Sequence, residues 1–229
     1  MNLFRIYLLL FGISSFGQKN NPEILDKEVS TIINQFIDNS KIPGAVVAIK
    51  KGNKLVLEKA FGQARLKEFD GSKSENPEPM SLKHLFDIAS LTKVVGTTTA
   101  IMKLHDQGKL NIGDPVSKFV IGFSEGEKAN ITIRHLLTHT SGMYDWYPLY
   151  YFSSKRKETF KFIKNLPLKY PVGAERHYSD LGFTILGEII ENVSGKSLDQ
   201  YLKSEIFGPL KMKNTGFNPD KTKYLIAAT

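Results

Sequence analysis

Two short runs hold side chains that could do chemistry. The first is Phe86-Asp87-Ile88-Ala89-Ser90-Leu91-Thr92-Lys93. On a helix that starts at Ser90, Lys93 lies one turn later on the same face, so its amine can reach the serine hydroxyl. A serine needs an activating base, and a lysine serves only when its pKa is lowered. The positive end of the helix and burial both push in that direction. The same amide dipoles would stabilise an oxyanion formed beside Ser90, whose own N–H is a candidate donor. The second run is Tyr178-Ser179-Asp180. A phenol near an ammonium has its phenolate favoured, so Tyr178 could share or take over proton transfer. The same letters also fit a serine cap, a solvated lysine, a packed tyrosine, and a Ser179–Asp180 pair that merely opens a helix. Only the chemical reading requires a hydroxyl, an amine and a phenol to converge.

The elements that must position these groups follow from periodicity. Asn21-Pro22 opens a helix, with Ile24, Leu25, Val29, Ile32, Ile33, Phe36 and Ile37 on one apolar stripe. Residues 44–50 and 54–61 read as two strands joined at Gly52-Asn53, a hairpin with Leu55, Leu57 and Lys59 alternating. Residues 62–80 read as a polar linker. From 81 onward the pattern is helical. One helix is expected from near Ser90 to a stop at Gly108, and a short one capped by Thr132 through His139. Others are expected near 154–165, from Ser179 to Val193 with a stop at Gly195, and from Ser197 to before Pro209. No internal repeat is visible.

Composition removes several function classes. With 229 residues, 41% hydrophobic and 24% charged, the chain can bury a core. It has no cysteine, which excludes disulfide scaffolds, thiolate metal sites and cysteine nucleophiles. The net charge is +8, but the lysines are scattered without a run of five, so a solvated basic surface is expected and not a nucleic-acid partner. His135 and His139 stand four apart, yet position 136 is Leu and no third ligand is obvious, so both are read as hydrogen-bonded structural histidines. Gly-x-Ser-x-Gly is absent. Tyr144, Trp146, Tyr147, Tyr150 and Tyr151 form an aromatic cluster, read first as packing and second as a substrate lining.

Residues 1–17 have the layout of a secretory signal peptide: Arg5, the apolar run 6–13, and small residues at Ser15 and Gly17. Export to the periplasm or beyond is therefore expected, with no stable membrane span once the signal is cleaved. The domain proper is then 18–229, with helix and hairpin in 22–61 and a mainly helical part in 81–229. A hairpin alone is marginal in water. The final run, Tyr224-Leu225-Ile226-Ala227-Ala228-Thr229, is apolar, and the sequence is expected to be cut short there.

With these residues in view, the sequence resembles the serine β-lactamase and penicillin-binding protein superfamily, in its class C β-lactamase, DD-peptidase and esterase branch. Four blocks carry the likeness: Ile42-Pro43-Gly44 with the hairpin; 86–93; Gly108-Lys109-Leu110 to Asp114-Pro115-Val116 with Ile133-Arg134-His135-Leu136-Leu137-Thr138-His139-Thr140-Ser141-Gly142; and Tyr178-Ser179-Asp180 with Leu186-Gly187-Glu188-Ile189-Ile190-Glu191. The resemblance implies an α+β fold, a helical domain packed on an antiparallel sheet whose C-terminal strands are missing here, with Ser90 at their junction. It implies Ser90 as acyl-accepting nucleophile, Lys93 as base or base partner, and Tyr178 as proton shuttle. It also implies no metal or organic cofactor, and a substrate that is a peptidoglycan peptide, a β-lactam or a small ester.

Two departures from that pattern stand out. The family's second block is usually Tyr-x-Asn, and here the third residue is Asp180. A carboxylate cannot donate to a substrate carbonyl, and it would raise the pKa of both Lys93 and Tyr178. Asp180 is thus a candidate orienting residue, or it faces elsewhere. The family's third motif, Lys/His-x-Gly on a later strand, has no match, since Lys221-Thr222-Lys223 lacks the small third residue. That strand supplies the family's second oxyanion donor, whose loss costs on the order of a hundred- to a thousandfold in rate. Two functions therefore stand side by side: an exported acyl-serine hydrolase, and a relative or fragment without turnover that at most binds a ligand. Oligomeric state leaves no trace in the sequence.

Overall fold

A computed structural model describes residues 22–68, 70–152, 154–220 and 224–227. The signal-peptide reading of 1–17 and the Lys221-Thr222-Lys223 segment lie outside the described residues. The described residues divide into two compact units, one formed within 22–86 with 224–227 and the other within 87–220.

In the first unit, helix α1 (Pro22–Asp38) precedes strands β1 (Gly44–Lys51) and β2 (Lys54–Gly62), which pair antiparallel. The register runs from Gly44 opposite Gly62 to Lys51 opposite Lys54, with a bulge between Ile49 and Lys50. Gly52, at φ +56, and Asn53 make the tight turn that the right-handed twist of paired strands requires. The expected α1 stripe is divided. Leu25, Val29, Ile33 and Ile37 are half-buried, whereas Ile24, Ile32 and Phe36 are exposed. The half-buried row recurs every four residues, the narrower seam. Lys59, in the alternating row with Leu55 and Leu57, reaches Asp26 of α1 at 2.8 Å and Ser30 at 3.0 Å. The polar linker is also more ordered than its composition suggests. Antiparallel bridges join Gln63 to Pro79 and Lys67 to Lys73, and Ala64 and Ser74 are buried. Residues 224–227 run beside Leu85: its N–H donates to the Leu225 carbonyl at 2.8 Å, and the Ala227 N–H donates back to the Leu85 carbonyl at 2.9 Å.

The second unit is helical. A π-helical segment, Lys93–Thr98, runs into α2 (Thr99–Asp106). Next come α3 (Ile133–Leu137), α4 (Arg156–Asn165), α5 (Asp180–Ser194) and α6 (Leu198–Leu202), the last continuing as a π-turn over Lys203–Phe207. Helix α5 is the centre. Eight of its residues are buried, among them Leu181, Ile185, Leu186, Ile189 and Ile190, and they meet Ile101 and Leu104 of α2, Leu136 of α3 and Leu202 of α6 in one core. Fully burying each such side chain contributes roughly 1.5–3 kcal/mol. Lys164 on α4 pairs with Glu188 on α5 at 2.8 Å, and Arg156 pairs with Glu191. The helix ends where its letters say. Gly195 adopts φ +69 and donates its N–H to the Glu191 carbonyl. Among the described residues no helix is long and apolar enough to cross a membrane.

Candidate active site

Ser90, Lys93, Tyr178 and Asp180 all belong to the helical unit. Ser90 stands where the chain enters the first helix. The Asp87 carboxylate accepts the Ala89 N–H at 2.8 Å, and Ala89 takes φ +43, a left-handed conformation unusual for a residue with a Cβ. From there three successive amides, of Leu91, Thr92 and Lys93, donate to carbonyls three residues back, those of Ile88, Ala89 and Ser90. Three residues per turn eclipses side chains i and i+3. The Lys93 ammonium consequently donates to the Ser90 hydroxyl at 3.2 Å.

Tyr178 is placed by the start of α5. Ser179 is the N-cap: its hydroxyl accepts the Gly182 N–H at 3.0 Å and donates to the Tyr144 carbonyl at 2.7 Å. The Asp180 N–H donates to the Asp145 carbonyl at 2.8 Å. The 144–145 segment thereby backs the Tyr-Ser-Asp block. Gly142, just before this segment, lies against residue 170. At φ +76, a Cβ there would fall 2.2 Å from the Tyr170 carbonyl oxygen, which itself lies beside the amides bonded to the Gly142 carbonyl. Of the aromatic cluster, Tyr144 and Tyr147 pack against the core, while Trp146, Tyr150 and Tyr151 are exposed.

The four candidates therefore converge, which the solvated-lysine reading did not require. Lys93 Nζ lies 4.9 Å from the centre of the Tyr178 ring and 2.6 Å from Asp180 Oδ1. Asp180 does not face elsewhere; it is the ion-pair partner of Lys93. The electrostatics overturn one expectation. Burial does push the Lys93 ammonium toward a lower pKa, but the Asp180 carboxylate and Tyr178 outweigh it, and the net shift is upward. That direction favours the ammonium form of Lys93. Tyr178 moves the other way. Its hydrogen bonds with Ser90 and then Lys93 lower its pKa, and they outweigh the opposing effects of desolvation and, after it, of the Asp180 charge. Tyr178 is 45% exposed, so solvent reaches the hydroxyl side of the site.

His135 closes a capping box on α3. Its N–H donates to the Thr132 hydroxyl and its ring Nδ1 accepts the Thr132 N–H. His139 is buried with its ring 4.5 Å from that of Tyr178, and its Nδ1 accepts the Ser179 N–H at 3.0 Å. That link joins residues forty apart. Apart from the Thr-His-Thr-Ser-Gly string, no sequence signal announces it.

The fold agrees with what comparison with known proteins finds. The beta-lactamase family profile matches residues 29–225, and the chain belongs to that family. A Bacillus subtilis (strain 168) protein named N-acetylmuramyl-L-alanine amidase is 31% identical over an alignment covering 89% of this chain and 51% of its own. Among solved structures, EstCE1, titled a hydrolase with promiscuous acyltransferase activity, superposes with a TM-score of 0.77 at 27% identity, over 91% of this chain and 57% of that one. A beta-lactamase/D-alanine carboxypeptidase from Pseudomonas syringae shares the fold, with a TM-score of 0.75 at 22% identity over 89% of this chain and 55% of that one. The chain spans about half the length of the curated relatives it matches.

Proposed function

We propose that the chain carries the acyl-serine centre of an exported hydrolase. Ser90 is the nucleophile, Tyr178 takes its proton as general base, and the Lys93 ammonium stabilises the phenolate and holds the Ser90 oxygen in line. The proton then passes from Tyr178 to the departing amine or alcohol, and water is activated by the same phenolate to release the acyl group. One observation carries this reading: the hydroxyl, ammonium and phenol share one corner, and Tyr178, not Lys93, has the lowered pKa. The substrate class is an amide or ester beside a carboxylate, of the peptidoglycan-peptide kind, supported by the name of the Bacillus subtilis relative and by the family. Export is supported by the leader-like residues 1–17.

A second reading, a relative that binds ligand without turnover, is favoured by the Lys93–Asp180 ion pair at 2.6 Å, which holds the cluster's positive charge away from an incoming oxyanion. Acylation separates the two. Purified chain is incubated with a fluorescent penicillin and, separately, a fluorophosphonate. Covalent label on wild type that vanishes in Ser90→Ala supports the hydrolase, and equal or absent labelling supports the binder.

A further inference from the structure

We propose that His139 is the positioning residue for Tyr178, clamping it by the backbone on both sides and by its ring. The inference rests on Tyr178 being the proton-transfer group. The His139 carbonyl accepts the N–H of His177, the residue before Tyr178, at 2.8 Å. The His139 ring Nδ1 accepts the N–H of Ser179, the residue after it, at 3.0 Å. Between these two anchors the imidazole lies against the phenol ring at 4.5 Å with a 35° tilt, and the Phe183 ring also packs on it at 5.0 Å. One residue thus fixes the peptide units flanking Tyr178 and the plane of its side chain.

The backbone of His139 is shaped for this task. It follows α3 and takes φ +61, a left-handed conformation that Asn, Asp and His tolerate better than most residues. The turn aims the ring back at the start of α5. Because a backbone N–H can only donate, the Nδ1 facing Ser179 must be unprotonated, and in the neutral ring the proton sits on Nε2. Burial, followed by the charges of Arg176 and Lys93, holds His139 below its ordinary pKa; the Asp180 carboxylate opposes them. The titratable Tyr178 phenol also lies against its ring. Protonating Nδ1 would set two N–H groups against each other and open the clamp, so proton transfer at Tyr178 should fail on the acid side.

The test compares three variants of the full chain, each checked for folding by circular dichroism. His139→Asn keeps an acceptor near the Nδ1 position and tolerates the backbone, but cannot titrate. His139→Phe keeps the ring and loses the acceptor. His139→Ala loses both. Tyrosines labelled with 13C at Cζ are followed by NMR through a pH titration, with Tyr178 assigned from the signal missing in Tyr178→Phe. Fluorophosphonate labelling of Ser90 is timed in parallel. The clamp predicts that Tyr178 broadens and titrates nearer an ordinary tyrosine in His139→Ala and His139→Phe, with labelling slowed by about a hundredfold, the cost of misplacing a catalytic group by about 1 Å. In His139→Asn, labelling slows by less than about tenfold, and the acid limb assigned to His139 is gone. A Tyr178 signal and labelling rate unchanged in folded His139→Phe, or an acid limb unchanged in His139→Asn, overturns the proposal. If wild type is not labelled at all while the Tyr178 titration still moves in His139→Phe, the clamp stands and the hydrolase reading falls.

Discussion

Replacing Asp180 by Asn tests the electrostatic argument at its most exposed point. The carboxylate lies 2.6 Å from Lys93 Nζ, and the two side chains are 43% and 15% exposed. Coulomb attraction over that distance is about 1.6 kcal/mol at the permittivity of water and about 6 kcal/mol at an effective value near 20. The exposed carboxylate places the pair toward the lower figure once solvent screening is counted. Asp180 raises the pKa of Lys93 and also opposes the lowering of Tyr178, so removing its charge moves both groups down. The phenolate fraction of Tyr178 near neutral pH is expected to rise. An amide at this position can also donate to a substrate carbonyl, which the carboxylate cannot. The assay is an ultraviolet difference titration of Asp180→Asn against Asp180→Asn/Tyr178→Phe, set beside the wild type against Tyr178→Phe. Fluorophosphonate labelling rates are measured across the same pH range. A downward shift with faster labelling at neutral pH is predicted. A Tyr178 titration that stays fixed or moves upward would refute the claim that Asp180 restrains the cluster.

Further expectations concern the scaffold. Ser179→Ala removes the α5 N-cap and the donor to the Tyr144 carbonyl, and should cost about 1–3 kcal/mol in urea unfolding; a loss too small to resolve would contradict the cap. Ala89→Val forces a β-branched residue into φ +43 and should cost about 1–3 kcal/mol, whereas Ala89→Gly should change stability by less than about 1 kcal/mol. Gly142→Ala sets a Cβ 2.2 Å from the Tyr170 carbonyl oxygen, and soluble yield and melting temperature should fall sharply; a normal melt would show that the 142–170 approach is not obligatory. The neutral His139 makes stability depend on pH. Its folded pKa lies below the ordinary 6.5, so the unfolded chain binds the extra proton first. Stability is whole above about 6.5 and declines as pH falls toward the folded value. The stability gap between wild type and His139→Asn should narrow in that window, and a constant gap would count against a neutral, buried imidazole.

Much of this was legible because local rules govern it. Gly52-Asn53 marks the hairpin turn, Gly195 the end of α5, Thr132 and Ser179 the caps, and Ser90 with Lys93 the one-turn spacing that sets oxygen and nitrogen together. What escaped depends on contacts distant in sequence. The linker reading of 62–80 did not anticipate its two isolated bridges, because they are made by backbone and not by apolar side chains. The π-helical stretch Lys93–Thr98 has no compositional mark; Gly96 sits there, where a Cβ would come within 3.1 Å of Leu202. The expected lowering of the Lys93 pKa weighed burial and the helix start correctly in sign, but without the 2.6 Å distance to Asp180 it could not tell which effect wins. Leu136 and the lack of a third ligand mark His139 as a hydrogen-bonded structural histidine, which it is, but its partners lie about forty residues on, at the start of α5, where no spacing rule reaches.

The account's central claim is that Ser90 becomes acylated with Tyr178 as its base. The most direct measurement is mass spectrometry of the whole chain after brief exposure to a fluorophosphonate, with the adduct located by peptide sequencing and the time course repeated for Tyr178→Phe. The prediction is a single adduct on Ser90 in wild type, forming at least about a hundredfold more slowly in Tyr178→Phe. An adduct on another residue, or one that forms on Ser90 equally fast without the phenol, would contradict it.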